Sequence, residues 1–170
     1  MPNNQTLTIL IILGILMSLT GVFLLNFTSV ANSDFLLTIG IWLIEMGGMF
    51  LLLHNGTFIK TVYSRIVMGM FVLILVGTVF KIMHWPFQDI LIVIGCIGIV
   101  CVYVLHFIKK PIKKRLDYLK LAWVLILYIG AILKLYNLIS GDYRILTVVV
   151  MILALMDYTL PKIKNKTLFD

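Results

Sequence analysis

Glu45 is the only acid near the middle of a long apolar stretch in this 170-residue chain. A charged side chain at the centre of a bilayer costs roughly 2.5–3.5 kcal/mol on insertion scales, so a partner, water or a proton must compensate it. Two roles fit. Glu45 is either a protonatable group on an ion path, or a structural acid that stays protonated or pairs with a lysine. Lys81 and Lys134 are the candidate counter-charges, each about one turn from the end of an apolar stretch. Both also read as snorkelling residues, with the stem in the apolar zone and the ammonium at the interface. Histidine can both accept and donate a proton, which makes His84 a candidate relay. It is followed by Trp85, an interfacial residue, and by Pro86, which stops a helix, so the same string reads as a loop anchor.

Other chemistry finds no footing. There is no Gly-rich phosphate loop, no HExxH, and no Ser/His/Asp grouping. Cys96 and Cys101 lie five residues apart in one apolar run, point in different directions on a helix, and lack metal-ligand spacing. No catalytic residue, metal, cofactor or small-molecule substrate is expected, and the chain does not read as an enzyme.

The surrounding elements follow from composition. The chain is 62% hydrophobic and 12% charged, whereas soluble domains have about 45–50% apolar and about 25% charged residues. A chain this short cannot hide that much apolar surface from water. Six apolar runs stand out, at about Thr6–Leu25, Phe35–Leu53, Ile66–Met83, Ile90–Ile108, Leu119–Leu138 and Ile145–Leu160, the last stopped by Pro161. At about 16–20 residues, each matches or approaches the length of a bilayer-spanning helix. A barrel would instead show alternating segments of about ten residues. The first run has no Lys or Arg before it and exceeds a signal-peptide core, so it is expected to be a retained helix. The expected fold is an all-α polytopic membrane domain spanning 1–170, with six transmembrane helices in three tandem hairpins at about 6–53, 66–108 and 119–160.

An internal repeat supports that division. Gly77…Lys81…Asp89…Gly95 matches Gly130…Lys134…Asp142…Val148 step for step, and Gly21…Leu25…Asp34…Gly40 differs by one residue in its turn. Asp89 and Asp142 are expected to cap helices four and six. Small residues such as these glycines let membrane helices approach closely. The net charge is +7. The basic residues lie between apolar runs rather than along an amphipathic face, which points to membrane orientation and anionic headgroups rather than nucleic acid. Lys60, Arg65, the cluster from Lys109 to Lys120, Lys162, Lys164 and Lys166 share one side. The other side has Lys81, Lys134 and Arg144. Both termini are therefore expected in the cytoplasm, with the three tight turns outside. The expected partners are the lipid bilayer and other membrane proteins or a second copy of the chain.

The string Gly77-Thr78-Val79-Phe80-Lys81-Ile82-Met83-His84-Trp85-Pro86, followed by the apolar run 90–108, resembles the transmembrane hairpin of the GldL family. Those proteins are inner-membrane subunits of the gliding-motility and type IX secretion motor. The resemblance covers roughly 30 residues strongly, and implies that Gly77, Lys81, His84, Trp85 and Pro86 form a hairpin motif in a bacterial inner-membrane protein. The family's motor glutamate, in its second span, has no counterpart around Tyr103, and Glu45 lies in the equivalent helix of the first hairpin about a turn out of register. After its two spans the family has a long cytoplasmic region, where this chain continues with a third hairpin. The implied protein is GldL-like but lacks the motor acid. A structural or interaction subunit of a membrane assembly is the leading expectation, and a proton- or ion-coupled protein using Glu45 is the alternative.

Overall fold

The computed structural model describes residues 4–27, 33–139 and 143–164. Those residues form six long helices and one short turn of 3-10 helix: α1 (Asn4–Phe27), α2 (Ser33–His54), the 3-10 turn Phe58–Lys60, α3 (Val62–Ile82), α4 (Gln88–Lys109), α5 (Arg115–Leu135) and α6 (Arg144–Lys164). All six helices are long and apolar enough to cross a membrane. The chain is thus an all-α, multi-pass membrane protein. Helices are what apolar chains must form in lipid, because hydrocarbon offers backbone N–H and C=O groups no outside partner.

The helix ends reflect local chemistry that hydropathy does not register. α5 begins at Arg115, four residues before the apolar run, because Asp117 ties down the turn before it. Its carboxylate accepts from the Lys114 backbone N–H at 2.9 Å and from Lys110 Nζ at 2.6 Å. The expected stop at Pro161 is corrected: Pro161 lies inside α6, which continues to Lys164. A proline so near a helix end removes one backbone hydrogen bond where few remain to be made. Asp89 is also corrected. The residue before α4 is Phe87, in a left-handed conformation, and makes no side-chain cap, while Asp89 lies within the first turn. Asp142 lies outside the described residues.

By contacts the chain divides into two compact units, Met1–Gly56 with Val148–Asp170, and Thr57–Thr147. In the first, α1 packs along α2. Asn4 and Asn55 exchange side-chain amide hydrogen bonds at 2.9 and 3.5 Å, closing the end of that pair. Met151 and Leu155 of α6 sit against Gly48 of α2. In the second unit α3 packs along α4, and α5 packs on α4. The helices expose many apolar side chains, such as Leu16, Leu19, Val72 and Ile97, the kind of surface lipid requires.

Within each of the first two pairs the helices approach through glycine at corresponding positions. A Cβ on Gly21 would lie 2.7 Å from the Leu37 backbone nitrogen, and one on Gly77 would lie 3.0 Å from that of Ile92. Leu37 and Ile92 each stand three residues past the aspartate of the repeat. A Cβ on Gly40 would lie 2.7 Å from the Gly14 carbonyl oxygen, and one on Gly95 would lie 2.9 Å from that of Met70. Gly14 precedes Gly21 by seven residues, as Met70 precedes Gly77. The repeat seen in the sequence is therefore a repeat of contacts. In the third copy Gly130 is covered by the ring of Tyr143, and Val148 stands where the others have glycine.

Substitution of these glycines should separate the pairs. Gly40→Ala places a methyl group against backbone atoms that cannot turn aside, and should destabilise the protein by about 1–3 kcal/mol, the usual cost of overpacking. Gly69→Ala, where a Cβ meets nothing within 4 Å, should be neutral or slightly stabilising. Unfolding of each variant in a sodium dodecyl sulfate titration, followed by circular dichroism, checks both.

Candidate functional site

The hairpin motif occupies the tip of the α3–α4 pair. Gly77 brings α3 close enough to α4 that a side chain there would collide with Ile92 and the Gln88 carbonyl. One turn further on, Lys81 Nζ reaches Asp89 Oδ1 across the turn at 3.4 Å, with both side chains nearly half exposed. An exposed pair at that length is worth at most about 1 kcal/mol.

His84 ends the helix. Its φ is 54°, a left-handed conformation in which a helix closes on itself. The His84 N–H donates to the Lys81 carbonyl at 3.3 Å, and the Trp85 N–H reaches back to that of Phe80 at 2.9 Å. Those two bonds define a Schellman motif, which a hydrophobic contact between its outer residues commonly accompanies. Here that contact is an edge-to-face pair of Phe80 and Trp85 rings, 5.0 Å apart. Pro86 follows, where the chain has already left the helix. Each residue of the string thus serves the structure in its own way, Gly77 by close approach, Lys81 by an ion pair, His84 by a left-handed cap, Trp85 by an aromatic clasp and Pro86 by a stop.

α5 ends the same way. Asn137 has φ 54°, and its N–H donates to the Lys134 carbonyl at 3.1 Å while the Leu138 N–H donates to that of Leu133 at 2.9 Å. Asn137 follows Lys134 by three residues, as His84 follows Lys81. Sequence reasoning passed over Asn137, although that spacing, and the tolerance of asparagine for left-handed backbone, were there to be used. Lys134 itself lies in the last turn of α5, exposed.

Glu45 lies near the middle of α2, half-buried, beside buried Ile44 and two residues before buried Gly47. It belongs to the first unit, whereas Lys81, Lys134 and His84 belong to the second. Lys81 has its carboxylate partner in Asp89. No group of three or more His, Cys, Asp or Glu side chains able to hold a metal occurs among the described residues.

A second cluster went unrecognised in the sequence, at the opposite end of the α3–α4 pair. The His106 ring meets Phe58 edge-on at 5.0 Å and Tyr63 at 5.6 Å, and Phe58 also meets Tyr103 at 5.2 Å. Phe58 is buried beneath them. His106 is therefore part of an aromatic plug at the helix ends rather than an isolated interfacial residue. Its four members are spread over the 3-10 turn, α3 and α4, and only Tyr103 and His106, three residues apart on α4, are linked by helical spacing.

Set against known protein families, curated proteins and solved structures, the chain matches none.

If His84 serves as a backbone cap, glycine should replace it without loss. His84→Gly is expected to hold or raise stability, while His84→Val, a β-branched residue forced to positive φ, should lose about 1–2 kcal/mol. Thermal unfolding in detergent ranks the three proteins, and a His84→Gly protein less stable than His84→Val would refute the capping role.

Proposed function

We propose that this chain is a GldL-like integral protein of a bacterial inner membrane, acting as a structural or interaction subunit of a membrane assembly. The observation that carries the reading is the α3–α4 tip. There the string from Gly77 to Pro86 is built into a rigid clasp by two backbone bonds and one aromatic pair, which leaves Trp85 half exposed. A fixed, part-exposed aromatic group at a helix end suits contact with another protein, because little conformational freedom remains to be lost on binding. The partner would be another membrane protein or a second copy of this chain. The distribution of basic residues supports cytoplasmic termini, with this tip on the far side.

Gently solubilised native membranes should contain the chain in an assembly larger than one copy. Trp85→Ala should shift it to smaller species on a native gel at unchanged protein level. A wild-type chain that runs as a monomer under those conditions would defeat the proposal. For orientation, a reporter fused within residues 111–114 should report the cytoplasmic face.

One observation favours a proton- or ion-coupled role instead. α2 holds Glu45 half-buried at mid-span, a depth at which ionisable residues mark ion and proton pathways. Proton flux in reconstituted vesicles decides between the two readings: flux abolished by Glu45→Gln supports coupling, and flux unaltered by it dismisses Glu45 as the proton-carrying group.

A further inference from the structure

The inner end of the second unit carries the chain's whole excess charge. From Phe58 to Arg65 and from His106 to Lys120 there are eight lysines and arginines and one acid, Asp117, while the six bases and six acids elsewhere cancel. Asp117 is occupied by Lys110 at 2.6 Å and by the Lys114 backbone, so it does little to offset the remaining cations. Two of those cations are held in place by aromatic faces. Lys109 Nζ lies 5.7 Å from the centre of the Tyr63 ring, and Lys113 Nζ lies 5.3 Å from that of Phe107. Lys113, Lys114 and Arg115 are exposed where α4 gives way to α5.

A run of lysines is most often only a solvated loop. This one differs in what is interleaved with it. Ile112, between the cations of the link, is 73% exposed, and Val62, beside Tyr63, is 68% exposed. Ile59 and Ile108 are exposed as well. A surface made for water or for a soluble polyanion has no use for exposed branched aliphatic groups among its charges. A surface at the edge of a bilayer does, since phosphates meet the cations while acyl chains meet the aliphatic groups.

The geometry points to a binding site for the headgroup of an anionic phospholipid at this end, with Lys109, Lys113, Lys114 and Arg115 taking the phosphate and Ile108 and Ile112 taking the first methylenes of the acyl chains. The inference rests on the reading of the chain as membrane-embedded. The aromatic faces under Lys109 and Lys113 limit the freedom those side chains lose when the lipid binds.

The test is native mass spectrometry of the full chain from mixed micelles of phosphatidylglycerol and phosphatidylcholine at equal concentration. The wild-type protein should retain phosphatidylglycerol about tenfold over phosphatidylcholine, as one or two headgroup-facing cations provide. Lys109→Gln/Lys113→Gln/Lys114→Gln/Arg115→Gln should lose that preference. Lys110 is left intact because it holds Asp117. Lys162→Gln/Lys164→Gln, which removes two cations from the other unit, should keep the preference. Equal retention of the two lipids by the wild-type protein, an undiminished preference in the fourfold variant, or displacement of phosphatidylglycerol by inorganic phosphate at matched concentration would each overturn the site. Alkaline extraction of native membranes reads the underlying assumption separately: wild-type chain released into the soluble fraction would remove the membrane reading itself, whatever the lipid data.

Discussion

Lipid gives helices no hydrophobic reason to associate, since hydrocarbon tails are as apolar as leucine. What remains is the closeness with which two backbones can pack, and in this chain glycine sets that closeness. Gly14 and Gly40 face each other across the first pair, and Gly77 and Gly95 carry the second. Dispersion attraction falls off within a fraction of an ångström, so each added carbon at these points would forfeit contacts along the whole crossing. The hairpin tips, the ion pair between Lys81 and Asp89, and the aromatic plug around His106 all presuppose helices already brought to this distance.

Much of the architecture was legible in the sequence because membranes impose a coarse rule. Six apolar runs and the turns between them are set by the thickness of hydrocarbon, and they translate into six helices with ends displaced by a few residues. The displacements have causes a hydropathy pattern cannot carry. α5 starts early because one carboxylate, Asp117, gathers two donors, and α6 runs past Pro161 because a proline close to a helix end has little left to break. Asp89 was read as a cap from its place in a turn, yet it sits inside the helix and pairs across the hairpin.

The candidate site was legible in part. The residues from Gly77 to Pro86 are together because they are consecutive, and the string names its own tip. The string reads as a loop anchor as well as a proton relay, but the part His84 plays in that loop was hidden, because the backbone angle behind it is invisible in a sequence. Only its counterpart Asn137, a side chain with no titration to offer, makes the capping role plain. The plug of Phe58, Tyr63, Tyr103 and His106 is assembled from three elements, and nothing short of the folded arrangement shows it.

The two glycine-lined pairs are cut to the same gauge, and this has a consequence for how the chain assembles. Gly95 meets its partner helix at the same offsets as Gly40, so α4 offers a notch much like the one α2 offers. Shape alone discriminates poorly between the right neighbour and the wrong one. The tether discriminates instead: the five residues 83–87 between α3 and α4 keep each helix at a high local concentration beside its own mate. Lengthening that link would leave both notches intact and weaken the bias between them, easing exchange of helices between copies.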